Sequence, residues 1–301
     1  MIWVGWRQQR TETAIAVGIL VLLAAVLVPT GLQMASAYHH DGLSACTSAA
    51  SEGACGQAVA SFFSRFSQIG DFIAWLTLVP GVVGILLAAP LLMQLEQGTF
   101  RLDWTQSITR ARWIAGKLGL AVAAAIVASL AFTLLVTWWR SPFVHLQGRM
   151  ENSVFDSEGI VVFGYTLFAL GLAVAIGAVW RRAVPALVVA FVGYFAGRLF
   201  VDTWLRQRLI DPLTTTWSSA GREPAVLRHA WVLREHPVGG SGNHVVLRIS
   251  KEALASPPKI VTTYHPASHF WPLQLIETAL FGGVALALLA FAAWWIHERT
   301  A

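Results

Sequence analysis

Apolar residues gather into six long runs, at positions 14–34, 72–93, 113–139, 160–180, 184–204 and 271–296, with shorter polar stretches between them. A hydrocarbon layer roughly 30 Å thick is crossed by about 20 helical residues rising 1.5 Å each. Each run meets that length, so the pattern predicts six transmembrane helices. Helices are expected rather than a barrel, because the serial short alternation of barrel strands is missing and each span must satisfy its own backbone hydrogen bonds. Between the fifth and sixth runs, residues 205–270 turn polar and rich in proline, glycine and histidine. Within them Val245, Leu247 and Ile249 alternate with Val246, Arg248 and Ser250 as a strand does. "GGSG" before them suits a turn after "AWVLRE", and "KIVTTY" offers a third strand. The expected fold class is an all-α polytopic membrane protein with six transmembrane helices and a small β-containing domain between helices five and six.

Composition agrees. Hydrophobic residues fill 56% of the 301 positions and charged residues only 12%, where a soluble domain is about one-quarter charged; mean hydropathy is +0.60. Basic residues then orient the bundle, since they stay in short cytoplasmic loops. One set of loops and tails holds Arg7, Arg10, Arg101, Arg110, Arg112, Lys117, Arg181, Arg182 and Arg299, whereas the short loops opposite hold Arg65, Arg140 and Arg149. Both termini are therefore expected in the cytoplasm. The eight basic residues of 205–270 lie outside in this scheme, a long region largely exempt from the rule. The domain plan is an interfacial segment 1–13, helices one to five over 14–204 with an extracellular loop 35–71 and a cytoplasmic loop 94–112, an extracellular domain 205–270, and helix six with a cytoplasmic tail over 271–301. A net charge of +5 then reflects topology and contact with anionic lipids, not nucleic acid. Arg7 and Arg10 ahead of an apolar run, with "ASA" at 35–37, also resemble a cleaved signal peptide. The run is longer than an ordinary signal core, so a retained span is the reading adopted.

Tools of catalysis are missing from the sequence: there is no GxxxxGK[ST] loop, no HExxH, and "GGSGN" lacks the last glycine of a nucleophile elbow. His265 and His269 are four apart, but Pro266 argues against a regular helix presenting both rings to a metal, and no metal site is assigned. Cys46 and Cys55, the two cysteines, share an outer loop where a disulfide is reasonable. Charges inside apolar runs are the sharper clue, because an unpaired one at a helix centre costs about 2.5 to 3.5 kcal/mol on insertion scales. Arg198 and Asp202 stand i, i+4 and are placed to pair on one helical face. Glu277 lies about 9 Å along the helix from Trp271. These three form either a structural ion pair with a carboxylate facing polar cap residues, or a polar patch beside a transport route. Gly193 and Gly197, and Ala169, Ala173 and Gly177, make small faces suited to close helix packing within a subunit or to a dimer seam.

The interruption "LEQGTFRLDWTQSITRARWIAGKL" resembles the loop between the second and third spans of type-2 ABC exporter permeases. There a glutamate precedes Gly-Thr, a short helix follows, and then come an arginine and a lysine entering the next span. Glu96, Gly98, Thr99, Arg110 and Lys117 take those places here. The proline many members carry before the arginine is absent, with Ser107 and Ile108 in that region, and Trp104-Thr105-Gln106 replaces a more aliphatic stretch. "WRQ" at 6–8 and "FWP" at 270–272 are similar to actinobacterial permeases. The resemblance implies a bacterial plasma-membrane exporter subunit in which this coupling segment docks on a separate ATP-binding subunit. It also implies two permeases, identical or different, paired around the transport route. ATP and Mg would be held by the partner, with no cofactor on this chain. Glu96, Arg101, Asp103, Trp104 and Arg110 are the candidate contacts, Gly98 and Thr99 the bend, and Lys117 the anchor of the next span. Cargo is expected to be lipophilic or amphipathic. The competing class is a membrane sensor or immunity protein whose outer domain binds a ligand.

Overall fold

The computed structural model describes residues 2–43, 54–99, 109–219, 221, 223–238 and 259–299. Its helices are α1 (Ile2–His40), α2 (Ala54–Leu76), α3 (Val79–Gln97), α4 (Arg110–Gln147), a short α5 (Asn152–Phe155), α6 (Val161–Trp180), α7 (Ala183–Phe200), a π turn (Val201–Leu205), a short α8 (Arg206–Leu209) and α9 (Phe270–Arg299). Among the described residues, six segments are long and apolar enough to cross a membrane: Val17–His40, Val79–Gln97, Arg110–Leu146, Val161–Trp180, Ala183–Leu209 and Ala267–Arg299.

Four boundaries differ from the hydropathy pattern. The second span begins at Val79, not near 72, because Pro80 opens α3 after a turn at Thr77 and Leu78. A proline's missing N–H and fixed φ suit a first helical turn and resist a helix interior. The stretch 35–71, expected as a loop, is instead helical at both ends: α1 runs on to His40 and α2 takes up Ala54–Leu76. Phe62 and Phe66 of α2 are buried, and Phe62 meets Tyr38 of α1 and Phe143 of α4. Residues 2–13, expected as a separate interfacial segment, continue α1 without a break. The "ASA" of 35–37 lies inside α1, where Met34 and Ala37 are buried. The fifth span does not end at 204; it continues through the π turn to Leu209.

Helix α6 is the hub, packed against α3, α4, α7 and α9. Its small residues allow this. A Cβ on Gly177 would strike Leu92 of α3, and Gly84 of α3 lies directly against the Thr166 carbonyl of α6. Gly193 and Gly197 of α7 face Leu172 and Phe168 of α6, so that small-residue face packs within this chain.

A three-stranded antiparallel sheet sits between α8 and α9: β1 (Leu213–Ser218), β2 (Trp231–Pro237) and β3 (Lys259–His265), ordered β1-β3-β2. "AWVLRE" and "KIVTTY" supply β2 and β3 as expected. The third strand comes from Leu213–Ser218, where consecutive β-branched threonines precede Trp217. Val245, Leu247 and Ile249 lie outside the described residues, as does Cys46; Cys55 stands in the first turn of α2.

Candidate functional site

At the sheet-bearing end of the bundle, five charged side chains meet in a near-dry network. Its centre is Arg206, 1% exposed. Its Nη2 donates to Asp156 Oδ1 at 2.5 Å and to Glu277 Oε1 at 3.0 Å, its Nε to Glu277 Oε2 at 2.9 Å, and its Nη1 to Asp202 Oδ1 at 2.6 Å. Arg198 Nη2 donates to the other oxygen of Asp156 at 2.5 Å. The Tyr165 hydroxyl donates to Glu277 Oε1 at 2.5 Å, and Arg198 Nη1 reaches the Tyr194 hydroxyl at 3.4 Å. Both guanidiniums also lie on aromatic faces, Arg198 3.7 Å from the Tyr165 ring centre and Arg206 4.4 Å from that of Phe155. Planar guanidinium is the cation suited to such a place, because its fork serves several carboxylate oxygens while its faces stack.

The backbone explains how these groups converge. Residues eight apart on a regular helix differ in direction by about 80°, which would turn Arg206 away from Arg198. The π turn at Val201–Leu205 accommodates one surplus residue and takes back about 100°, leaving the two arginines within about 20° of one face. Asp156 arrives on a tight turn after α5, in which Glu158 N donates to Val154 O at 3.1 Å. Gln274 of α9, fully buried, clasps that turn: its Nε2 donates to the carbonyls of Phe155 and Glu158 at 2.9 and 3.1 Å, and its Oε1 accepts from Val161 N at 2.9 Å. The clasp needs glycine at 159, with φ of +77°, where a Cβ would lie 2.7 Å from Gln274 Oε1. Backbone groups that neither helix nor lipid would satisfy are thus paired.

Beside this network Arg140 Nε lies 3.3 Å from Glu158 Oε1, and Arg149 Nε 3.8 Å from Oε2. Burial raises the Glu158 carboxyl above its ordinary range, against the pull of Arg140 and then Arg149.

Arg198, Asp202 and Glu277 are therefore gathered in one place, but with different partners from those expected. Arg198 binds Asp156, and Asp202 binds Arg206, because the π turn resets the face and Asp156 holds Arg198. Glu277 faces Arg206 and Tyr165 of the bundle instead of the sheet domain. Asp156, Arg206, Arg140 and Glu158 escaped the sequence reading. The signal available was "DSEG" at 156–159, two carboxylates against an apolar run, and Arg206 four residues after Asp202.

Residues of the candidate coupling segment lie at the opposite end. Gly98 ends α3 with φ of +69°. Glu96 Oε2 accepts from the Ala183 backbone N–H at 2.9 Å, at the first turn of α7. Thr99 is exposed; Arg110 opens α4 and its Nη1 lies 3.5 Å from the His297 carbonyl of α9. Arg181 Nη2 donates to the Arg299 carbonyl at 2.9 Å. Lys117 is buried, 6.0 Å over the Trp113 ring. Arg101, Asp103 and Trp104 lie outside the described residues.

In the sheet domain His265 Nδ1 and His269 Nδ1 are 3.1 Å apart, and His265 stacks on Trp231. Among the described residues no group of three or more His, Cys, Asp or Glu is placed to hold a metal.

No curated protein and no solved structure matches the chain. A family profile described as "ABC-2 membrane transporter related" does, over residues 17–206. That match takes in five of the six spans, the 94–112 interruption, and the Asp156, Arg198, Asp202 and Arg206 members of the network. With well over half of its length matched, the chain belongs to the ABC-2 membrane transporter related family.

Proposed function

We propose that this chain is the membrane-spanning permease subunit of an ATP-binding-cassette exporter, with residues 95–112 as the handle gripped by a separate ATPase subunit. Hydrolysis resides on that partner, with its ATP and Mg, and the end of the bundle bearing Glu96 and Arg110 faces the cytoplasm, as the basic-residue count indicates. Two permeases, identical or different, pair around the route in the bacterial plasma membrane.

The observation that carries this reading is the join between Glu96 and Ala183. A carboxylate at a helix N-terminus satisfies free N–H groups and meets the positive end of the helix dipole. Glu96 stands at the start of the coupling segment, and α7, which it caps, carries Arg198 at its far end and leads into Asp202 and Arg206. A push on the segment by ATP-driven closure of the partner thus acts directly on the rod that bears the charge network. The sensor alternative gives this linkage no ATP-driven input.

Charge reversal tests the docking. In Arg110→Glu and Asp103→Arg the ATPase subunit is expected to co-purify at a small fraction of its wild-type level while membrane insertion is unchanged. Undiminished co-purification with both variants would refute the proposed handle.

A further inference from the structure

Between the break at the end of α2 and the second half of α7 lies a cavity of about 120 Å³. Thr77 and Leu78 line it together with Asp156, Arg198, Leu199 and Asp202. The lining thus carries two carboxylates and one guanidinium. The connected network keeps the same imbalance, since Asp156, Asp202 and Glu277 face only Arg198 and Arg206. The Arg140, Arg149 and Glu158 group contributes nothing to the lining.

Asp202 is the most open of the three carboxylates, with its side chain 25% exposed against 7% for Asp156 and 0% for Glu277. Arg198 Nε is buried without a hydrogen-bond partner. The cavity lining therefore carries an excess carboxylate charge, Asp156 and Asp202 against Arg198. Outward from it the surface is apolar: Leu199 and Phe200 are each 54% exposed on the outer side of α7.

We propose that this cavity holds the primary ammonium group of an amphipathic molecule, with the tail lying over Leu199. The ammonium supplies the missing positive charge and N–H donors for Asp202 in a site of low dielectric, where an uncompensated charge is expensive. A carboxylate headgroup would meet two carboxylates instead. The proposal names a cargo class for the transport role above and rests on that role only for the step from binding to export. Ammonium groups of this kind come from free amphipathic amines or from aminophospholipid headgroups.

Calorimetric titration of the purified full-length protein in neutral detergent distinguishes them, with n-octylammonium, dihexanoyl-phosphatidylethanolamine and octanoate as probes. At least one ammonium probe is expected to bind and octanoate is not. The stronger of the two identifies the source. Asp202→Asn removes the charge, and Leu199→Trp fills the mouth without touching the network; each is expected to weaken binding roughly tenfold or more. Should Asp202→Asn fail to fold, Leu199→Trp still decides. Octanoate binding as tightly as both ammonium probes, no ammonium binding at all, or unchanged affinity in Leu199→Trp overturns the proposal. None of these outcomes depends on the ATPase partner, so loss of the docking reading leaves this one standing, and the reverse.

Discussion

Replacing Arg206 by methionine removes one cation and leaves Asp156 and Glu277 facing each other with side chains 7% and 0% exposed. Breaking a buried ion pair by deleting one partner costs about 3–5 kcal/mol, because the remaining charge has lost water and gained nothing. Arg206 serves three carboxylates, of which Asp156 keeps Arg198 and Glu277 keeps only the Tyr165 hydroxyl, so the upper half of that range applies. At about 2–4 °C per kcal/mol, the scaling for domains of about 150–250 residues, the midpoint of thermal denaturation in detergent should fall by on the order of 10 °C. Arg206→Lys should fall in between, since one ammonium has the charge but not the reach of a guanidinium fork. Arg208→Met, two residues on and exposed, is the matched control and should move little. Adding Glu277→Gln to Arg206→Met should restore part of the loss, because the orphaned carboxylate is then gone and the two changes are strongly non-additive. A midpoint for Arg206→Met within about 2 °C of wild type, or a double variant whose loss equals the two single losses together, would refute the account of the network.

Other consequences are checked with the same assay or a simple gel. Gly84→Ala places a Cβ against the Thr166 carbonyl, which is backbone and cannot swing aside, so it should cost about 1–3 kcal/mol, whereas Gly283→Ala enters open space and should be nearly silent. His265 has its pKa lowered, chiefly by burial and then by His269, with a hydrogen bond to the Gln207 backbone opposing. Its contribution to stability is therefore complete above its ordinary value of 6.5 and lost as the pH falls through the depressed folded value. Acidification below 6.5 should lower the wild-type midpoint more steeply than that of His265→Gln; parallel pH profiles would count against this. Cys46 and Cys55, expected from the sequence to be joined, should resist maleimide labelling in isolated membranes until a reductant is added, and labelling without reductant would exclude the bond.

The spans were legible because a membrane helix is written in composition: twenty apolar residues in a row have few other uses. Hydropathy averaged over such a window is blind to a single proline, which is why the start of α3 at Val79 was hidden within a longer apolar stretch. The sheet was half legible. Trp231–Pro237 and Lys259–His265 carry strand-favouring residues, but Leu213–Ser218 follows Asp211-Pro212 and reads first as a turn. Of the charge network, Glu277, Arg198 and Asp202 were visible because charge inside an apolar run stands out. Arg206 and Asp156 fell just outside the runs, where charge is ordinary, and only contacts spanning 50 and 71 residues of sequence reveal that they are interior. The pairing itself was not legible, because it depends on the phase of one turn.

That π turn makes the length of the chain, and not only its composition, part of the network. Losing one residue between 201 and 205 would let the helix close up into regular geometry with Arg206 seven residues after Arg198 and still within about 20° of its face, whereas losing two would swing it through about a quarter of a revolution. A two-residue deletion that alters no charge would then turn a guanidinium away from its carboxylates. It would leave Glu277 without its cation, so relatives of this protein should either keep all five residues with the π turn or lose one residue together with it.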